Sequence, residues 1–110
     1  MRFVRYELQP IKWMGDSRIA VRAFPRAARN AAGDELFLLQ VGLNPEHWRP
    51  MPGIGAGVRE IRISMGSEYR IIYVMARASG PVVLHAFQKK AQQISRKDLQ
   101  LARQRFRELQ

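Results

Sequence analysis

The sequence predicts a small α+β domain, in which an antiparallel sheet carries helices packed on one of its faces and leaves the other face open. Two observations support this class. Apolar residues recur at helical spacing between residues 25 and 43 and again after residue 95. Between residues 58 and 90 the period changes to two, as it does in strands. The expected order is β-α-α-β-β-β-α, in a single domain that spans residues 1–110.

The first half of the chain predicts a short strand and two helices. Residues 10–15 (PIKWMG) are typical of a strand that ends in a turn, and Asp16 or Ser17 can cap the helix that follows. Pro25 then ends this helix or begins a second one. The second helix is expected to bury one apolar stripe, formed by Ala28, Ala32, Leu36, Leu39 and Leu43.

The second half predicts a meander of three strands and a final helix. Residues 44–57 hold three prolines and three glycines and are expected to form an irregular loop. Ser95 and Asp98 have the spacing of a capping box at the start of the final helix. The strands are expected at residues 58–64, 68–75 and 82–90. The final helix is expected to bury Leu99, Ala102, Phe106 and Leu109.

The composition argues against several classes of protein. No apolar run approaches the ~18–20 residues that a membrane span needs, and the N-terminal MRFVRYELQP lacks the hydrophobic region of a signal peptide. The chain has no cysteine, which excludes disulfides and thiolate metal sites and fits the cytoplasm. With His47 and His85 as the only histidines, we expect no metal and no cofactor. The stretch GIGAG lacks the Gly-Lys-Ser/Thr ending of a P-loop.

Positive charge is the most informative property of the composition. The formal net charge is +10, and fifteen of the nineteen basic residues are arginine. Residues 1–50 hold eight basic and five acidic residues, whereas residues 51–110 hold eleven and four. Arginine presents a planar fork of donors that suits phosphate groups. The sequence therefore predicts a polyanion as partner, with nucleic acid or the ribosome favoured over an acidic protein.

Strand alternation predicts which side chains share the open face of the sheet. If Ile61 and Ile63 are turned towards the helices, Glu60 and Arg62 point outward. Arg70 is expected on the same open face, because burial of an unpaired guanidinium is costly. An alternative for Arg70 is a structural ion pair with Glu60 or Glu68.

The last strand adds further candidates to this face. Alternation places His85, Phe87 and Lys89 together, opposite a small aliphatic face. A bulge near Phe87 would replace Lys89 by Lys90, so both lysines are candidates. The alternative for the two lysines is a solvated strand end.

Such a face suits the cleavage of RNA without a metal. Cations position the phosphates, and Phe87 or Tyr69 can stack an unpaired base. A base then assists the 2′-OH in attacking phosphorus, an acid protonates the departing 5′-oxygen, and cations stabilise the transition state. His85 has the ordinary pKa best suited to this work, but a histidine in an apolar strand is also a common structural residue.

Two stretches carry a family resemblance: GVREIRISMGSEYRIIYV, and VVLHAFQKKAQQISRKDLQLARQRFREL. They resemble the RelE/ParE toxin superfamily, and most closely its phage-derived, HigB-like branch. The resemblance implies a RelE-like fold and a toxin of a type II toxin–antitoxin system. Many relatives are mRNA interferases that cut mRNA on the ribosome, and a helix-turn-helix antitoxin neutralises this branch and represses the operon with it.

The resemblance also implies site residues. Arg70 in the Tyr69-Arg70 pair, Arg62 on the preceding strand, and Lys89 and Lys90 match basic positions of the family. Arg96 and Lys97, at the start of the final helix, are further RNA-binding candidates. The family's TQKT block is replaced by AQQI, and the C-terminal tyrosine or histidine of some relatives is absent. A gyrase-blocking toxin of the ParE kind and a non-catalytic RNA- or ribosome-binding module are the alternatives.

Overall fold

The two periodicities of the sequence produce three helices and five strands within residues 8–110, the part of the chain that the computed structural model describes. The strands are β1 (Lys12–Trp13), β2 (Trp48–Pro50), β3 (Arg59–Met65), β4 (Ser67–Ala76) and β5 (Gly80–Lys89). The helices are α1 (Ser17–Arg22), α2 (Arg26–Gln40) and α3 (Arg96–Leu109). The predicted α+β class is confirmed. None of these helices is long and apolar enough to cross a membrane.

The strands form one sheet in the order β1-β5-β4-β3-β2. β3, β4 and β5 are the predicted antiparallel meander, and Gly66 makes the tight turn between β3 and β4 with a φ of 77°. β1 departs from the antiparallel prediction, because it pairs in parallel with β5. No hairpin joins these two strands, so nothing in the chain connectivity forces them to be antiparallel.

The loop predicted at residues 44–57 contains a short strand that was not predicted. β2 pairs with β3, with Trp48 opposite Ile61 and Pro50 opposite Arg59. Proline is tolerated here because β2 is an edge strand with a neighbour on one side only. The prediction of a wholly irregular loop was therefore wrong for these three residues.

Helices cover both faces of the sheet, whereas the sequence analysis placed them on one. α1 and α2 pack on the face of Ile61, Ile71 and Tyr73. α3 packs on the opposite face, where Ala102 lies with Ile72. The physical reason is that β4 is apolar on both sides, so each side needs a cover.

Two local features fix α3 on its face. The predicted capping box is confirmed, since the Ser95 side chain accepts a hydrogen bond from the Asp98 backbone at 3.1 Å. The Phe106 ring lies against the backbone of Gly55, where an added Cβ would clash with the ring. The glycine-rich stretch GIGAG thus has a packing role.

The stripe of α2 is shorter than predicted. Ala28, Ala32, Leu36 and Leu39 are buried as expected, but Leu43 is 59% exposed. The helix ends at Gln40, so Leu43 no longer follows the helical spacing that would have carried it inward.

Replacement of Ile61 by alanine should destabilise the fold, because Ile61 is completely buried between the sheet and α2. We expect a loss of about 2–5 kcal/mol in the free energy of unfolding. The matched control is Ile19→Ala, at a position that is 72% exposed, for which we expect a change within about 0.5 kcal/mol. Urea unfolding of the two variants measures the difference. Equal stabilities would contradict the packing described here.

Candidate nucleic-acid interface

The candidate site is the sheet face that α3 covers only in part. On this face, residues of β3, β4 and β5 stand opposite one another in three rows across the sheet. Neighbouring strands lie about 4.8 Å apart, so the members of a row are in contact range. From the covered end to the open end the rows are Glu60–Ile72–His85, Arg62–Arg70–Phe87 and Ser64–Glu68–Lys89.

The predicted sharing of one face is confirmed by the register. A bulge does occur in β5, but it lies at Leu84, opposite the step from Ile72 to Tyr73, and not near Phe87. The bulge therefore precedes Phe87 and leaves Lys89 opposite Glu68. Lys90 follows the end of β5 and is exposed.

Arg70 lies on the predicted face but is buried, with 1% of its surface exposed. Its Nη1 donates to the carbonyl oxygen of Tyr69 at 3.0 Å, and its Nη2 donates to Glu68 Oε1 at 3.1 Å. The expectation that Arg70 points to solvent was therefore wrong, and the alternative of an ion pair with Glu60 and Glu68 is present. Arg70 is held behind Glu68 as a fixed positive charge.

Glu60 supplies the buried negative charge that makes the burial of Arg70 possible. It is completely buried, although alternation predicted that it points outward to solvent. Its Oε1 accepts a hydrogen bond from Arg49 Nε at 2.9 Å and lies 3.6 Å from Arg70 Nε. A buried carboxylate is stable only with such partners. Glu60 thus joins β2, β3 and β4 on this face.

Glu68 is a candidate that the sequence analysis considered only as a partner for Arg70. It faces Lys89 across the strand pair at the open end of the sheet, and 43% of its side chain is exposed. A hydrogen bond from Ser64, followed by the Arg70 hydrogen bond, lowers the pKa of Glu68 below its usual value. The sequence did contain a signal for Glu68, because Glu68 and Arg70 are two residues apart on one strand and therefore share a face. Its position opposite Lys89 could be found only from the structure.

His85 is 6% exposed and has both ring nitrogens engaged. Nε2 lies 2.7 Å from Asp98 Oδ1, and Arg105 Nη1 lies 3.3 Å from Nδ1. The neutral tautomer with a proton on Nε2 satisfies both contacts, since Nδ1 then accepts from the guanidinium. The ring also stacks on Phe87 at 5.2 Å between centroids. This geometry favours the structural role for His85.

Arg105 extends the contacts of His85 to the start of α1. Its Nη2 donates to Asp16 Oδ1 at 2.8 Å and its Nη1 to the carbonyl oxygen of Leu84 at 3.0 Å. Gly15 makes room for this approach, because a Cβ there would lie 2.6 Å from the guanidinium. Helical spacing placed Arg105 off the buried stripe, yet only 12% of its side chain is exposed.

Most of the remaining candidates lie together at the end of β5. Phe87, Lys89 and Lys90 line a shallow pocket at the end of β5, beside the N-terminal turn of α3 that carries the exposed Arg96 and Lys97. These residues therefore adjoin the open row of the site.

Tyr69 lies on the other side of the sheet. It is 4% exposed and packs on Phe24, with 4.8 Å between the ring centroids. The prediction that Tyr69 can stack an RNA base on the open face does not fit this position. Its parity along β4 is opposite to that of Arg70, so the two neighbouring residues face different helices.

The family follows from a comparison with known proteins. The family model for "Phage derived protein Gp49-like (DUF891)" matches residues 20–107. This span includes all three rows of the site and most of the chain, so the protein belongs to this Gp49-like family, which is a RelE-like toxin family. A comparison with curated proteins gives no match.

Replacement of His85 by alanine should loosen α3, because Asp98 and Arg105 both lose a buried partner. We expect a loss of about 1–3 kcal/mol in the free energy of unfolding. The control is His47→Ala, since His47 is exposed and should tolerate the change. Chemical denaturation compares the two histidine variants. If they are equally stable, His85 has no structural role and becomes a catalytic candidate again.

The ion pair of Asp16 and Arg105 should make part of the stability depend on pH. The hydrogen bond from Arg105 is the main reason that the pKa of Asp16 lies below its usual value of 3.8. A carboxyl group with a lowered folded-state pKa stabilises the fold above its unfolded pKa, and this stabilisation is lost as the pH falls through the folded pKa. Asp16→Asn should therefore be less stable than wild type at neutral pH, by less than about 1 kcal/mol because Asp16 is well exposed.

The difference between wild type and Asp16→Asn should close below pH 3.8. Urea unfolding at neutral pH and at about pH 3 measures it. The control is Asp34→Asn, an exposed carboxylate without an ion pair in residues 8–110. A difference for Asp16→Asn that is unchanged in acid would show that the Arg105 contact is not the cause.

Proposed function

We propose that this protein is the toxin of a type II toxin–antitoxin system, in the HigB-like branch of the RelE/ParE superfamily, and that it is a ribosome-dependent mRNA endoribonuclease. Membership of a RelE-like toxin family supports the class. The observation that carries the activity is the pairing of Glu68 with Lys89 at the open end of a cationic sheet face. The two residues are opposite each other in the strand register, so a carboxylate and an ammonium group on one face can serve as base and acid.

In the proposed reaction, the Glu68 carboxylate takes the proton of an RNA 2′-OH. The 2′-oxygen forms a bond to the adjacent phosphorus, and the bond from phosphorus to the 5′-oxygen breaks. Lys89 donates a proton to this leaving oxygen. The products are a 2′,3′-cyclic phosphate and a 5′-hydroxyl, and the reaction needs no cofactor. The lowered pKa of Glu68 keeps the carboxylate ionised and ready to accept, although it makes the base weaker.

The other residues of the face hold the phosphate and its charge. Arg62 is exposed and stands one row from the pair of Glu68 and Lys89, where it can contact a phosphate oxygen. Arg70 adds a fixed charge that stabilises the transition state from behind Glu68. Lys90, Arg96 and Lys97 flank the pocket and can bind the neighbouring backbone.

The exposed position of the site supports the requirement for a ribosome. The outer row is a surface and not an enclosed cleft, so the protein alone holds a phosphate but does not fix the sugar beside it. In-line attack needs the 2′-oxygen, phosphorus and 5′-oxygen aligned within a small tolerance. A ribosome that holds the codon in a defined conformation would supply this alignment. The protein would then act in the cytoplasm.

The proposal includes a protein partner. A helix-turn-helix antitoxin would neutralise the toxin, and the complex of the two would bind operator DNA. The net charge of +10 supports an antitoxin that offers acidic groups to this surface.

A second candidate is a non-catalytic RNA- or ribosome-binding module. The observation in its favour is that His85 is enclosed and held by Asp98, so its ring does not reach the open row. A gyrase-binding toxin of the ParE kind is a further alternative. The three functions differ in what happens to cellular mRNA and DNA.

Expression of the protein in bacteria without its antitoxin, followed by mapping of mRNA ends, tests the proposal. We expect cuts in phase with the reading frame for wild type. Glu68→Gln should reduce the cleavage rate roughly 10²–10⁴-fold, because the base is lost while the shape is kept. The matched control is Glu108→Gln, at the far end of α3, which should cut like wild type.

The other outcomes separate the alternatives. DNA breaks with intact mRNA would indicate gyrase as target, and ribosome binding without cuts would indicate a non-catalytic module. Cleavage by Glu68→Gln at the wild-type rate would exclude Glu68 as the base. Arg70→Ala is a poor test, because it removes one of the two cations that neutralise the buried Glu60 and should destabilise the protein.

A further inference from the structure

A second group of arginines lies on the side of the sheet that α1 and α2 cover. Arg18 and Arg22 belong to α1, and Arg26 and Arg29 belong to α2. All four are exposed. We call these four residues the arginine stripe.

The arginine stripe belongs to two helices that follow each other in the chain. Arg18 and Arg22 are four residues apart and Arg26 and Arg29 three apart, spacings that place side chains next to each other on a helix. Arg29 Nη1 donates to the carbonyl oxygen of Arg22 at 3.5 Å, which joins the two helical parts. Four exposed arginines thus lie on two helices that this contact connects.

No acidic group compensates this surface within residues 8–110. None of the four arginines takes part in an ion pair there, and residues 17–33 contain no Asp or Glu. On the opposite face, by contrast, Arg70 and Arg49 are both paired with Glu60. Like charges at helical spacing repel each other and destabilise the helix. An anion that binds to the arginine stripe would relieve this repulsion.

The arginine stripe cannot share a ligand group with the proposed cleavage site. α1 and α2 pack on the face of Tyr69 and Ile71, whereas Arg62 and Lys89 lie on the face turned the other way. The sheet separates the two surfaces. A polyanion that contacts the arginine stripe is thus a second segment, distinct from the one that reaches Glu68.

We propose that the arginine stripe is a second RNA-binding surface, which takes the phosphate backbone of a structured RNA. Guanidinium groups bind phosphate oxygens in pairs, and they read no base sequence in doing so. The protein then binds one RNA on each side of its sheet: a strand at the open row of the site, and an anchoring RNA at α1 and α2. This inference concerns binding and does not depend on cleavage.

The test compares two double variants of equal charge. Arg18→Gln with Arg26→Gln removes two charges from the arginine stripe. Arg77→Gln with Arg107→Gln removes two exposed arginines elsewhere, in the turn before β5 and in the last turn of α3. The probe is an RNA hairpin with a mixed-sequence stem, and its dissociation constant is measured over a series of salt concentrations.

For the stripe variant we expect the slope of log affinity against log salt to become shallower by about 1.4–1.8, since each lost phosphate contact contributes about 0.7–0.9. The control variant should change the slope by less than half of this. Its melting temperature is expected to stay constant or to fall slightly, while that of the stripe variant stays constant or rises because repulsion is relieved.

Equal slopes for the two variants would overturn the proposal, because only the net charge would then matter. A melting temperature of the stripe variant below that of the control would overturn it as well, since the arginines would then serve the fold. An RNA affinity of the stripe variant equal to that of wild type would also overturn it, whether or not the variant still binds an acidic protein. None of these outcomes depends on the role of Glu68, so the cleavage proposal is tested separately.

Discussion

The buried carboxylate of Glu60 is the interaction on which the site depends. It neutralises Arg70, which has almost no contact with water, and it accepts a hydrogen bond from Arg49 on the neighbouring strand. Without this carboxylate, the buried Nε of Arg70 would have no negative charge beside it, and only Glu68 and the carbonyl oxygen of Tyr69 would hold the guanidinium. The result is a series of paired charges on three neighbouring strands, which ends at the surface with the carboxylate of Glu68.

A second set of contacts decides which part of the face stays open. His85, Asp98, Arg105 and Asp16 join β5, α3 and the start of α1. They hold α3 over the first row of the face and end there, so the third row is left uncovered. His85, the residue that the sequence makes most suited to catalysis, therefore holds the helix in place. In the proposed reaction, the carboxylate and the lysine of the outer row take the catalytic roles.

Period and chain order were enough to predict the α+β class, the meander, the capping box and the face shared by Arg62, Arg70 and Lys89. They were not enough to predict which residues of that face are buried and which are exposed. Alternation assigns a residue to one of two sides, but whether Arg70 is exposed depends on Glu60, ten residues away in sequence. Likewise, Arg105 reaches Asp16 across 89 positions of the chain, a contact that no local pattern contains. The prediction for Tyr69 was wrong for a different reason: Tyr69 is next to Arg70 on β4, so strand alternation places it on the opposite face.

In the proposed reaction, the 2′-hydroxyl of the RNA attacks its own backbone at the outer row, with Glu68 as base and Lys89 as acid. The most direct measurement uses ribosomes programmed with an mRNA that carries a single 2′-deoxynucleotide at the cut position. We predict that this substitution abolishes cleavage at that bond, and that the all-RNA message yields a 2′,3′-cyclic phosphate and a 5′-hydroxyl. Cleavage of the deoxy-substituted bond, with a 5′-phosphate on the product, would contradict the account.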